Sequence, residues 1–306
     1  MLNDVADLYA ASPALFAGSV FLISLLIGSF LNVVIHRLPI MLEREWRAQA
    51  AEFTDVGAAA AAAPSGAPEN YTLVSPRSAC PRCQAPITAW QNIPVLSWLA
   101  LRGRCAACKA PISVRYPAVE LATAVLSGWA AWHFGFGASA ACAVAVTWTL
   151  IALTGIDVDH QLLPDSITLP LVWTGLLASV LIGPVPGAAL PVSASDAILG
   201  AAAGYLSLWL VFHIFRLITG KEGMGYGDFK LFAALGAWMG WKVLPLIILL
   251  SAATGAVIGI LMIALRGRDR AAPMPFGPYL AAAGWLAMIY GHEIIDGYMR
   301  VSGLRR

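Results

Sequence analysis

Charge is what this 306-residue chain lacks: only 12% of its residues are Asp, Glu, Lys or Arg, while 59% are hydrophobic. A soluble globular protein carries about 25% charged residues. So little charge cannot clothe a soluble core, and so much apolar surface excludes disorder over most of the length. The composition therefore reads as an all-α polytopic membrane protein. Net charge is +2 with the basic residues dispersed, which leaves no nucleic-acid footprint. A basic segment is also missing ahead of the first apolar stretch, 8–35, which follows Asp4 and Asp7 instead. That stretch is too long for a signal-peptide core and is read as a retained span with its N-terminus outside the cytosol.

A span needs roughly 20 apolar residues. Segments 15–35, 166–182, 197–215, 243–265 and 278–290 meet or approach that length. The run 121–156 holds no Asp, Glu, Lys or Arg and suits two helices broken at 133–137. Only eleven residues separate Lys230 from Lys242. This sixth segment is either re-entrant or spans with both lysines snorkelling. The total is about eight transmembrane helices. The loop from Arg37 to Arg115 holds nine of the nineteen basic residues, which places it in the cytoplasm. Three regions follow: a first span (1–36), a cytoplasmic region (37–116) and a multi-span domain (117–306). Residues 48–68, rich in Ala, Gly and Pro, read as a flexible insertion without chemistry.

Four of the five cysteines stand as Cys80-Pro81-Arg82-Cys83 and Cys105-Ala106-Ala107-Cys108. Each pair continues into the same x-Ala-Pro-Ile, so the motif is an internal repeat. Two CxxC turns offer four thiolates to one tetrahedral Zn²⁺, and with all four positions filled by sulfur the role is structural. Two disulfides or redox pairs are the other reading, which a cytoplasmic location disfavours. Cys142, alone in an apolar run, reads as a core residue.

Carboxylates near a bilayer are costly and therefore informative. Asp157 ends a long apolar run and is the most deeply placed acid of the group Asp157, Asp159 and Asp165. Asp228 follows Gly225-Tyr226-Gly227 at the start of the short sixth segment. The two glycines allow positive φ and close backbone approach. Two carboxylates from different helices meeting in a shielded cavity would make an aspartyl protease dyad, sharing one proton because both cannot ionise at close range. Asp159 and Asp165 suit interfacial roles, Asp165 as a helix N-cap, and His160 is expected to face headgroups or solvent.

With these motifs in hand, the chain resembles the type IV prepilin peptidase family over nearly its whole length. The resemblance rests on the GxGD segment, on Asp157-Val158-Asp159-His160-Gln161-Leu162-Leu163-Pro164-Asp165 and on the double CxxC. It rests equally on the segment from Gly28 to Pro39, on Arg115-Tyr116-Pro117-Ala118-Val119-Glu120 and on Pro275-Phe276-Gly277-Pro278. It implies an inner-membrane aspartic protease of eight spans with Asp157 and Asp228 as the catalytic pair. The implied enzyme would cut prepilins and pseudopilins at the cytoplasmic face after a Gly, then methylate the new N-terminus with S-adenosylmethionine. Asn32, Arg37 and Glu120 match family positions near the cysteine loop and are the candidates for that second activity. Their other reading is helix-end hydrogen bonding.

Two further classes compete. A transporter binding protons or ions through its aspartates, with a regulatory zinc module, would be expected to show two related halves, and none are found. A related GxGD protease acting on other membrane proteins would not need a cytoplasmic double CxxC.

Overall fold

The structure is a computed structural model that describes residues 2–53, 71–185, 189–266 and 274–303. Among the described residues the regular secondary structure is helical, and the only bridges are two isolated antiparallel ones, Ala79 with Pro86 and Arg104 with Pro111. The helices are α1 (Leu2–Ala11), α2 (Pro13–Phe53), α3 (Leu96–Ala100), α4 (Arg115–Phe134), α5 (Ala138–His160), α6 (Asp165–Leu181), α7 (Ala194–Thr219), α8 (Tyr226–Met239), α9 (Leu244–Arg266) and α10 (Gly277–Val301). By length and composition four helical stretches among the described residues can cross a membrane: Pro13–Ala51, Ala138–His160, Ala194–Thr219 and Trp241–Leu265. Asp165–Leu181 is a shorter apolar helix. The chain divides into two compact units, Val20–Leu126 and the remainder.

In the larger unit α8 is the centre. Its 14 residues rise only about 21 Å, and from Asp228 to Met239 every residue except Lys230 is buried. An apolar helix so jacketed belongs to a protein interior, and α6, α7 and α10 supply the jacket. The α7 contact is backbone to backbone. Gly200 and Gly204, one turn apart, face Gly236 and Phe232, and a Cβ on Gly204 would lie 2.6 Å from the Phe232 carbonyl oxygen. Small residues at such a spacing let helices approach closely where no hydrophobic force drives them together. On the other flank the Trp238 indole donates to the Leu171 carbonyl of α6 at 2.9 Å, and Gly175 leaves room for that ring. Trp285 of α10 donates to Thr147 of α5 at 3.1 Å.

The smaller unit joins the later part of α2 to α3 and the start of α4. Helices α2 and α4 cross at Gly28, where a Cβ would stand 2.7 Å from Glu120 Cα. The break between α4 and α5 falls in 135–137, where Gly135 adopts φ +67, within the expected interruption.

Several expectations are corrected. Helix α2 does not stop near residue 35 but continues through Pro39 to Phe53. The charged residues end its apolar face without ending the helix, because Glu43 and Arg47 pair one turn apart at 2.5 Å. Residues 48–53 are accordingly helical, while 54–68 of the expected insertion lie outside the described residues. Pro164, not Asp165, is the N-cap of α6. Asp165 is instead held by Lys230, whose ammonium lies 2.5 and 2.7 Å from its two oxygens.

Candidate active site and metal centre

Asp157 stands in the last turn of α5. Its carbonyl is capped by the Gln161 amide at 2.9 Å, with Gln161 left-handed at φ 52. That turn stops the helix just after the carboxylate and leaves the side chain 5% exposed, while Asp159 and His160 face outward. Asp228 is the third residue of α8 and is also 5% exposed. Its Oδ2 accepts from the Gly225 amide at 3.2 Å, a capping arrangement that turns the carboxylate back over its own helix start.

The two carboxylates, from different helices, lie within Coulombic reach of each other. Asp157 Oδ2 and Asp228 Oδ1 are buried with no hydrogen-bond donor among the described residues. Buried carboxylate oxygens are ordinarily satisfied, so two such oxygens without partners make this pair a candidate site.

Of the two roles open to the glycines, the structure shows one. Gly225 has φ −80 and Gly227 is helical, so neither supplies positive φ. What Gly227 supplies is closeness, since a Cβ there would lie 2.6 Å from Leu163 Cβ. Leu163 also touches the start of α10, with its Cδ1 3.2 Å from where a Cβ on Gly277 would be. That same Cβ would stand 2.5 Å from Asp157 Oδ2. Leu163 is thus a spacer between the two carboxylate-bearing segments.

The cysteine repeat is repeated in three dimensions. In each copy the first Cys amide donates to the carbonyl five residues on: Cys80 to Ala85 at 3.0 Å and Cys105 to Ala110 at 2.8 Å. The residue after the second Cys is left-handed in both, Gln84 and Lys109 each at φ 58. Ile87 bonds back to Ser78 and Ile112 to Gly103. All four sulfurs lie within 4.8 Å of one another, with Cys80–Cys108 at 3.9 Å and Cys83–Cys105 at 4.0 Å. A tetrahedron with metal–sulfur bonds of ~2.3 Å has sulfurs ~3.8 Å apart, so the quartet is the right size for one ion.

The amides of Cys83 and Arg82 pull the Cys80 thiol down to about 6, and those of Cys108 and Ala107 lower Cys105. Cys83 is pushed up to about 11: the Ala85 amide favours its thiolate, but the neighbouring sulfurs, led by Cys108, outweigh it. Four sulfurs this close cannot all be anionic without a cation among them.

Asn32, Arg37 and Glu120 all spend polar groups on the protein. Asn32 donates to the Gly28 and Tyr116 carbonyls, and Glu120 accepts the Val95 amide at 2.7 Å. Arg37, buried, donates to the Thr72 and Pro76 carbonyls at 2.9 and 2.7 Å and lies over the Tyr71 ring. These contacts tie α2 to the cysteine-bearing segment and to the start of α4 within the smaller unit.

Known proteins place the chain in one lineage. The family model described as Bacterial Peptidase A24 N-terminal domain matches residues 22–134, and the model described as Type IV leader peptidase family matches 144–260. A prepilin leader peptidase/N-methyltransferase of Stutzerimonas stutzeri is 53% identical over 97% of this chain and 99% of its own. Its counterpart in Pseudomonas aeruginosa is 52% identical over 98% and 99%, and that of Legionella pneumophila 48% over 91% and 92%. The chain belongs to the type IV leader peptidase family. No solved structure matches it.

Within this leader peptidase, Asp157 and Asp228 both lie in the stretch matched by the second model, and the four cysteines in the first. Gly277, which touches Asp157, lies beyond both. In the sequence its motif, Pro275-Phe276-Gly277-Pro278, carries only a resemblance. The Pro-x-Gly-Pro pattern was a usable signal, because proline is favoured in the first turn of a helix, where its missing N–H costs nothing, and Pro278 is the second residue of α10.

Proposed function

We propose that the chain is a membrane-embedded aspartic endopeptidase that removes the leader peptides of type IV prepilins and pseudopilins, with Asp157 and Asp228 as its catalytic pair. The observation that carries the reading is the presence of two buried carboxylates, from α5 and α8, within Coulombic range of each other, each with an oxygen that no group among the described residues satisfies. Such a pair holds one proton between them. The ionised carboxylate takes a proton from water, whose oxygen attacks the scissile carbonyl carbon. The protonated carboxylic acid delivers its proton to the carbonyl oxygen. Collapse of the resulting diol breaks the C–N bond, and the leaving amine takes up a proton from the dyad.

The relatives' printed names carry a second activity, and we propose that this chain shares it, methylating the newly exposed N-terminal residue with S-adenosylmethionine. Asn32, Arg37 and Glu120 are the candidates for holding that cofactor. Cys80, Cys83, Cys105 and Cys108 would hold one structural Zn²⁺, which ties the two knuckles together. The eight apolar helices α2 and α4–α10 are proposed as the spans of an inner-membrane protein, with the cysteine unit and the dyad toward the cytoplasm. The transporter alternative finds no support: the named relatives are peptidases across the whole chain.

The test is incubation of the detergent-solubilised protein with a prepilin and S-adenosylmethionine, followed by mass spectrometry. Wild type should remove the leader and add ~14 Da, the mass of one CH₂ gained per methylation. Asp157→Asn and Asp228→Asn should each abolish removal. Normal cleavage by either variant refutes the dyad.

A further inference from the structure

The cysteine module carries a surface that neither proposed activity uses. From Thr88 to Leu101 no residue is charged, yet the stretch is not turned inward: Trp90 is 80% exposed, Leu96 65% and Leu99 58%. Within the short helix α3 the division is clean. Trp98 packs inward, its indole donating to the Ile112 carbonyl at 3.1 Å and its ring closing over Gly103. Leu96 and Leu99, three residues apart, share the outward face. Large apolar side chains gathered on a small module mark an interaction surface.

Charge says what the surface meets. Between Tyr71 and Val119 there is no Asp or Glu, while Arg77, Arg82, Arg102, Arg104, Lys109 and Arg115 are all basic. Four thiolates around a divalent ion would not cancel that excess. A cationic module with an exposed Trp and two exposed Leu complements an anionic bilayer surface, where the indole suits the headgroup boundary and each basic residue adds attraction.

The module is also held where such a surface lies. Arg37, the first cation after the apolar run of α2, grips the Thr72 and Pro76 carbonyls. Asn32, one turn earlier, bonds the Tyr116 carbonyl where α4 begins. Tethering at both ends keeps the module at high effective concentration near the bilayer, so weak interfacial contacts suffice.

We propose that the face bearing Trp90, Leu96 and Leu99 is an interfacial membrane-binding surface that seats the cysteine module on anionic lipid headgroups. The proposal goes beyond the peptidase reading and does not depend on it.

The test uses the full chain reconstituted in phosphatidylcholine bilayers with and without phosphatidylglycerol. The difference in fluorescence between wild type and Trp90→Phe isolates Trp90. With anionic lipid present, brominated acyl chains should quench that component and its emission should shift to the blue. Leu96→Gln with Leu99→Gln, or Arg102→Gln with Arg104→Gln, should reverse both effects. Unchanged quenching by aqueous acrylamide, with none by bromolipid, would overturn the proposal. Protection from both quenchers would overturn it too, because protein, such as a second copy of the chain, would then cover the face.

Discussion

The backbone of Gly277 lies against the carboxylate of Asp157, so closely that a Cβ at residue 277 would stand 2.5 Å from Oδ2. Neither model that defines the family reaches that glycine, and the contact makes the start of α10 a third wall of the proposed dyad.

Gly277→Ala should therefore displace Asp157 and lower cleavage by about 100-fold, the usual cost of moving a reacting group by ~1 Å. Gly291→Ala, on the same helix, would meet Val243 Cγ1 at an ordinary 3.5 Å and should cleave normally. Rates from mass-spectrometric cleavage assays decide the matter. Equal activity of the two variants would remove Gly277 from the site.

Asp159 is exposed where Asp157 is buried, two residues away on one helix end. Asp159→Asn should keep most of the cleavage rate, and Asp157→Asn should lose it. The reverse order would move the assignment to the outer carboxylate.

The Lys230–Asp165 pair joins the starts of α8 and α6, with side chains 24% and 57% exposed. Solvent screening limits a pair so exposed to about 1 kcal/mol or less. A double-mutant cycle of Lys230→Met and Asp165→Asn, followed by denaturation in detergent, should return a coupling in that range. A coupling of several kcal/mol would mean that the pair is desolvated in the membrane.

Purified protein should contain one zinc per chain by elemental analysis, and Cys80→Ser or Cys108→Ser should lose both the metal and N-methylation. Full methylation by these variants would separate the module from the second activity. After chelation, alkylation near pH 7 should modify Cys80 before Cys83. The thiolate is the reactive form, and a thiol lowered to about 6 is mostly ionised there while one raised to about 11 is not. The sign for stability follows. Cys80 is depressed by folding, so its contribution is present at alkaline pH and is lost as pH falls through about 6. Simultaneous labelling of the two cysteines would contradict this environment.

The sequence by itself determined the helical class, most helix positions and the cysteine cluster. Apolar runs of set length and paired CxxC turns are local patterns, and local patterns are written in consecutive residues. It also ranked Asp157 over Asp159, because depth follows from where an apolar run ends. It misjudged α2, since loss of apolar character ends a membrane span but not a helix. It left the roles of Gly225 and Gly227 open for a different reason: a glycine needed for closeness looks the same in sequence as one needed for φ. Only the tertiary structure decided that α8 is a buried interior helix, that Asp165 answers Lys230, and that Leu163 and Gly277 set the space around the carboxylates. These are contacts between residues far apart in the chain, fixed by how helices pack, and no run of neighbouring residues encodes which glycine will face which acid.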